Sequence, residues 1–282
     1  MTLKVGAGLV LALASAGALN WSYFAQHGAA AGLPPLTLRR PLQSLRLLFT
    51  NRRWVIGFVT GIGGWVLYVV ALALAPLSLV QAASAGGIAL LAGLVGRLSP
   101  RERVGVAVAV AGLFLLGLSL IRTSAPSGHG SWPAIAIWMG ASLGVAAFAA
   151  GPVARVLAGG AGLGIAAGVL YAAGDVGTKA AVVGGGRLAF VPALLACHGL
   201  AFVALQLGFQ RGGALATAGM ATLWTNALPI AAGSALFGES LPAGARGVAR
   251  VAAFACVVVG AAALARPEAG EPAPAGPVSA ID

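Results

Sequence analysis

From its first residues to about position 265, this chain passes from one apolar stretch of roughly twenty residues to the next, with short polar turns between them. That pattern leaves few folds. In lipid each peptide group must be bonded within the chain, so only helices or a closed barrel can span. A barrel would alternate apolar and polar residues over short segments. Here the runs are unbroken and rich in Ala, Leu, Val and Gly. Charged residues make up 8% and mean hydropathy is +0.96; a soluble domain carries about 25% charged residues. The pattern predicts an all-α membrane protein, a polytopic bundle of about nine transmembrane helices.

The expected spans are 3–25, 53–75, 79–97, 103–121, 132–150, 158–181, 189–209, 214–237 and 246–265. Leu42 to Phe49, in the long loop before the second span, is expected to lie on the membrane face as an amphipathic helix. The net charge of +11 comes from 17 Lys and Arg placed mainly in turns. It is better explained by topology than by a nucleic-acid partner. Eleven of the 17, including Arg39, Arg40, Arg46, Arg52 and Arg53, fall on one side of a nine-span arrangement. Lys and Arg favour cytoplasmic loops, which predicts a multi-pass protein of the inner or plasma cell membrane with the N-terminus outside and the C-terminus in the cytoplasm. Cys197 and Cys256 lie in apolar runs and read as small hydrophobes without a disulfide.

The halves repeat. Ala71 to Gln81 leads through an apolar run to Arg97-Leu98-Ser99-Pro100; Ala204 to Ala214 leads to Gly238-Glu239-Ser240-Leu241-Pro242. Ala18-Leu19-Asn20 parallels Ala173-Gly174-Asp175. Four spans, a linking span and four more would place the second copy in the opposite sense, an inverted internal repeat with its site at the interface. The expected division is a first repeat at 1–121, a linker helix within 122–157, a second repeat at 158–266 and a disordered cytoplasmic tail at 267–282.

Polar residues inside lipid are costly, so those retained there are the candidates for function. Asp175 and Lys179 stand four apart on one helical face. Gly174 and Gly177 leave space beside the carboxylate. Asn20, Gln81, Gln206 and Asn226 carry amides that can line a polar path or bind helices together. Asn226 precedes Pro229 by three, where the helix backbone opens. These six form the expected substrate pathway, with Gln26 and Gln210 as further membrane amides. His198 reads as a structurally satisfied histidine. Trp65, Trp138 and Trp224 read as packing or cavity wall, and Trp21, Trp54 and Trp132 as interface anchors. Gly160, Gly164 and Gly168 fall on one face, as do Gly57 and Gly61, which suits close helix seams.

No phosphate-binding loop, paired-cysteine metal motif or His-Glu-x-x-His is present. No cofactor and no enzymatic activity are expected. Ala71 to Gln81, Thr178-Lys179-Ala180, Phe209-Gln210-Arg211-Gly212, Asn226-Ala227-Leu228-Pro229 and Phe237-Gly238-Glu239 resemble motifs of the drug/metabolite transporter superfamily, in its EamA-like and NIPA-like bacterial members. The sequence departs from that pattern at Ala82, where proline is frequent, and at Gly96-Arg97, where a Gly-Glu pair is common. The resemblance implies an inverted-repeat secondary transporter of a small metabolite or ion, working without ATP; its NIPA-like side implies magnesium. A non-transporting assembly or lipid-organising protein is the alternative. The expected partners are the solute, membrane lipid and a second copy of the chain.

Overall fold

The computed structural model describes residues 3–265 except 37–38, 85–86, 97, 119–127, 158 and 239–243. Among the described residues the chain is helical throughout, without strands. The expected tail, Glu239, Arg97 and Arg122 lie outside them. The helices are α1 (Leu3–Ala30), α2 (Pro41–Thr50), α3 (Arg52–Leu74), α4 (Leu77–Ser84), α5 (Gly87–Val95), α6 (Pro100–Leu118), α7 (Trp132–Ala150), α8 (Ala161–Ala181), α9 (Val191–Arg211), α10 (Met220–Phe237) and α11 (Ala245–Ala265). A π-helical turn, Leu215–Gly219, leads into α10. Where a single span over 79–97 was expected, α4 and α5 stand on either side of 85–86. Among the described residues five helices are long and apolar enough to cross a membrane: α1, α3, α7, α8 and α9.

Local chemistry starts the helices where the sequence turns polar. Asn51 caps α3 by accepting from the Trp54 amide at 3.0 Å. Ser99 and Glu102 cap α6 reciprocally: the Ser99 amide donates to Glu102 Oε2 at 2.9 Å and the Glu102 amide donates to Ser99 Oγ at 3.2 Å. Pro41 and Pro133 stand in the first turns of α2 and α7, where a missing N–H costs nothing. α2 is the expected amphipathic segment: Leu48 is buried against Trp54 and Ala29, while Leu42, Leu45 and Phe49 are exposed.

The bundle is apolar outside as well as inside. Along α3, Val59, Val66 and Val70 are exposed, and Trp54, Gly57, Gly64, Tyr68 and Ala71 face inward. The two stripes follow the helical period. An exposed aliphatic band of this kind requires a lipid environment. The chain is an all-helical membrane protein.

α8 lies at the centre. Of its 21 residues 18 are buried, and it packs against α7, α9 and α10. A helix enclosed on all sides must present small side chains on several faces. A Cβ on Gly164 would stand 2.3 Å from the Thr217 carbonyl oxygen, and one on Gly168 2.6 Å from that of Ala221. These two glycines set the closest approach of α8 to the π turn and α10. Gly61 does the same for α3 against Ser22 of α1, at 2.6 Å. α1 packs on α3, and α6 on α11.

Replacing Gly168 by leucine should destabilise the protein by about 1–3 kcal/mol through overpacking. Gly140→Leu, where a Cβ meets nothing within 4 Å, should be neutral. Thermal unfolding of the two variants in the same detergent tests the difference.

Candidate functional site

Five helices each turn one stripe toward a common cavity of about 470 Å³. From α1 come Ala16, Leu19, Asn20, Tyr23 and Gln26, and from α3 Phe58, Gly61, Ile62, Trp65 and Tyr68. α9 presents Leu195, His198, Gly199, Phe202 and Leu205. Steps of three and four residues put each set on one helical face. α8 adds Tyr171 and Asp175 one turn apart, α10 adds Thr222, Thr225 and Asn226, and α4 adds Gln81. Leu45 and Phe49 of α2 also reach the wall.

Asp175 is 3% exposed. Its Oδ2 accepts from Gln81 Nε2 at 3.0 Å, and the same amide nitrogen donates to the Tyr68 hydroxyl. Its Oδ1 lies 3.6 Å from His198 Nε2. The histidine is oriented from two sides. Trp65 Nε1 donates to Nε2 at 3.2 Å, and Nδ1 stands 2.8 Å from the Leu194 carbonyl. Since Nε2 accepts, the ring proton sits on Nδ1 and donates to Leu194. Gly174 makes room for the imidazole: a Cβ there would fall 2.2 Å from the ring. Trp65 and Tyr171 both meet the imidazole edge-on, at 5.6 and 5.7 Å between centroids.

Asn20 and Asn226 form the other polar edge. Asn20 donates to the Ala16 carbonyl at 2.9 Å and accepts from Thr222 Oγ1 at 3.4 Å, which ties α1 to α10. Asn226 Nδ2 donates to the Thr222 carbonyl at 2.7 Å, and its Oδ1 has no hydrogen-bond partner among the described residues. Pro229 supplies no N–H to the Thr225 carbonyl one turn earlier, so the α10 ladder is interrupted beside the cavity.

Of the six candidates, Asp175, Asn20, Asn226 and Gln81 line the cavity; Gln206 and Lys179 are not among its lining residues. Gln206 lies one shell behind. It accepts from Trp54 Nε1 at 2.9 Å and donates to Gln26 Oε1 at 2.6 Å, and Gln26 donates to Ser22 at 2.7 Å. Trp54 is therefore no interface anchor. It is fully buried and stacked on Phe58, because its amide is pinned in the first turn of α3 by Asn51 and its indole by Gln206. Lys179 sends Nζ to the Leu72 and Ala75 carbonyls, both at 3.0 Å. There a cation meets the negative end of α3. Gln210 ties the loop after α1 to α9, accepting from the Leu36 amide at 2.7 Å and donating to the Pro34 carbonyl at 3.1 Å.

The residues missed by the sequence reading are Tyr23, Tyr68, Tyr171 and His198. Tyr171 and Asp175 at i and i+4 were a readable signal, and so was His198 at helical spacing from Phe202 and Leu205 on a helix that also carries Gln206.

No family model matches the chain, and no solved structure matches it. Among curated proteins the chain is similar to a probable magnesium transporter, NIPA9, of Arabidopsis thaliana, with 39% identity over 83 residues. The match covers 29% of this chain and spans 24% of that relative's length. A local likeness to a transporter and a bundle of apolar helices are compatible with membrane transport.

Gln206→Leu should cost about 1–3 kcal/mol, because it strands the buried Trp54 N–H and the Gln26 amide. The double variant with Trp54→Phe should lose less than the sum of the two single changes. Unfolding of all three in one detergent gives the coupling.

Proposed function

We propose that this chain is a secondary transporter that carries a small metabolite or ion across the cell membrane by alternating access, without ATP. The observation that carries the reading is the cavity between α1, α3 and α4 on one side and α8, α9 and α10 on the other, with Asn20, Gln81, Asp175 and Asn226 in its wall. Each of these polar residues is 4% exposed or less, and helix packing alone gives no reason to gather them at one opening. A uniformly packed interior would have suited the alternative, an assembly or lipid-organising protein.

Helix packing supports an inverted repeat of four helices, with α7 as linker. In the proposed correspondence α1, α3, α4 with α5, and α6 answer to α8, α9, α10 and α11. α1 packs on α3 as α8 does on α9, and α1 packs on α4 and α5 as α8 does on α10. The contact of α1 with α9 has its mate in that of α3 with α8. α4 meets α10 and α6 meets α11, each a pairing of equivalents. An axis between the halves produces this set of pairings, and a site on the axis can be opened first to one side and then to the other. Counting α4 and α5 as one crossing gives nine, with the N-terminus outside and the C-terminus cytoplasmic.

Magnesium is the second reading, favoured by the local likeness to a probable magnesium transporter. It ranks lower on donor chemistry. Mg²⁺ takes carboxylates and waters in octahedral geometry. Among the described residues no group of three His, Cys, Asp or Glu could hold a metal ion.

Reconstituted into liposomes and offered a solute panel, the protein should move solute down its gradient. Asp175→Asn should lower that flux about tenfold or more at equal protein incorporation. Wild-type flux in a correctly inserted Asp175→Asn protein would remove Asp175 from the pathway. Single cysteines at positions 3 and 265 in a Cys197→Ala, Cys256→Ala background should be labelled by a membrane-impermeant maleimide on intact cells at position 3 alone; the reverse pattern would refute the orientation.

A further inference from the structure

Resting on the transport reading of the same cavity, we infer that its solute is a monovalent organic cation, an ammonium group carried on an apolar body. The charge balance of the wall comes first. Asp175 is the only acid among the described lining residues, and no lysine or arginine is among them. The His198 ring lies beside the carboxylate, with Nε2 3.6 Å from Asp175 Oδ1, and its two nitrogens are also engaged by the Trp65 indole and the Leu194 carbonyl. Lys179 directs its ammonium to the end of α3. An anionic solute would meet a like charge in a medium of low dielectric, where repulsion is strong. A cation would supply the opposite charge.

The remainder of the wall selects which cation. Tyr23, Trp65, Tyr68 and Tyr171 bring aromatic rings from α1, α3 and α8 to the cavity that Asp175 lines. Aromatic faces attract an ammonium group, and more so where water is excluded. Leu19, Ile62, Leu195, Phe58 and Phe202 make up much of the rest. Such a wall suits a hydrocarbon or aryl body. It offers little to the tightly held water shell of Mg²⁺. A cavity of about 470 Å³ falls within the range of small-molecule sites, and is large enough for a single-ring amine.

The test is calorimetric titration of the full-length protein in lipid nanodiscs at neutral pH with phenethylammonium, 2-phenylethanol, 3-phenylpropionate and Mg²⁺. The first two share a body and differ in charge. Phenethylammonium should bind, and 2-phenylethanol should bind at least about tenfold more weakly. The anion should not bind, and Mg²⁺ should not displace the amine. Asp175→Asn should weaken amine binding about 30-fold or more. Tyr171→Leu, with the carboxylate intact, should weaken it about three- to tenfold. This second variant keeps the proposal testable if Asp175→Asn does not fold. Equal affinity for alcohol and amine, displacement by Mg²⁺, or unchanged binding in both variants would overturn it. Amine binding without amine flux in liposomes would sink the transport reading and leave the ligand class standing. Flux of other solutes without amine binding would do the reverse.

Discussion

The structure is organised around the Asp175 carboxylate, held inside a bundle that faces lipid. Leaving Asp175 there costs several kcal/mol unless the surrounding atoms offset it. The offsets are local and specific. Gln81 donates to it from α4, the Tyr68 hydroxyl stands on the same amide, and the His198 ring lies alongside from α9. Each of these contacts comes from a different helix, so the carboxylate is satisfied only when α3, α4, α8 and α9 are assembled. Packing of the bundle and burial of this charge are one event.

The composition of α8 is the counterpart of that arrangement. A helix buried on nearly every face cannot carry large side chains without pushing its neighbours apart. Gly164 and Gly168 allow α10 and the preceding π turn to approach on one side; Gly174 admits the His198 ring on another. Propensity scales place glycine among the poor helix formers. In this helix the loss is outweighed by van der Waals contact and by the space opened beside Asp175. A chain of larger residues could span the bilayer as well, but could not bring an imidazole this close to the carboxylate.

Much of the helical layout was legible because lipid imposes it. Length, apolarity and turn chemistry located α1, α3, α7, α8 and α9 to within a few residues. The amphipathic α2 was legible for the same reason. The rarity of charge in lipid drew attention to Asp175, and the cavity contains it. What a single sequence does not carry is the azimuth of one helix relative to another. Gln206 and Gln81 are equally deep amides, yet one bonds the indole of Trp54 and the other the carboxylate of Asp175. Lys179 shares a face with Asp175 by spacing, but its long side chain reaches the end of α3. Trp54 was misjudged for a related reason: a tryptophan near a helix start suits the membrane interface, and only the positions of Asn51 and Gln206 in space turn it inward. Tyr171 could be read from its place one turn before Asp175, but Tyr23 and Tyr68 could not, because an aromatic ring in an apolar helix reads alike whether it faces lipid, a neighbouring helix or a cavity.

The two kinds of polar residue in this bundle differ in how their bonds close. Gln206, Gln26 and Trp54 form a chain whose bonds run across helices, with Ser22 at its end. Such a chain fixes α1, α3 and α9 against one another and reaches the cavity wall only through Gln26 and Ser22. The cavity residues are incompletely spent. Among the described residues Asn226 keeps an acceptor without a partner, Pro229 interrupts the α10 ladder at Thr225, and Asp175 meets an imidazole rather than a lysine or arginine. Buried polar groups in a membrane bundle are ordinarily matched. The Gln206–Trp54 pair behind the cavity is matched and holds helices together, whereas the Asn226 acceptor at the wall stands ready for a ligand.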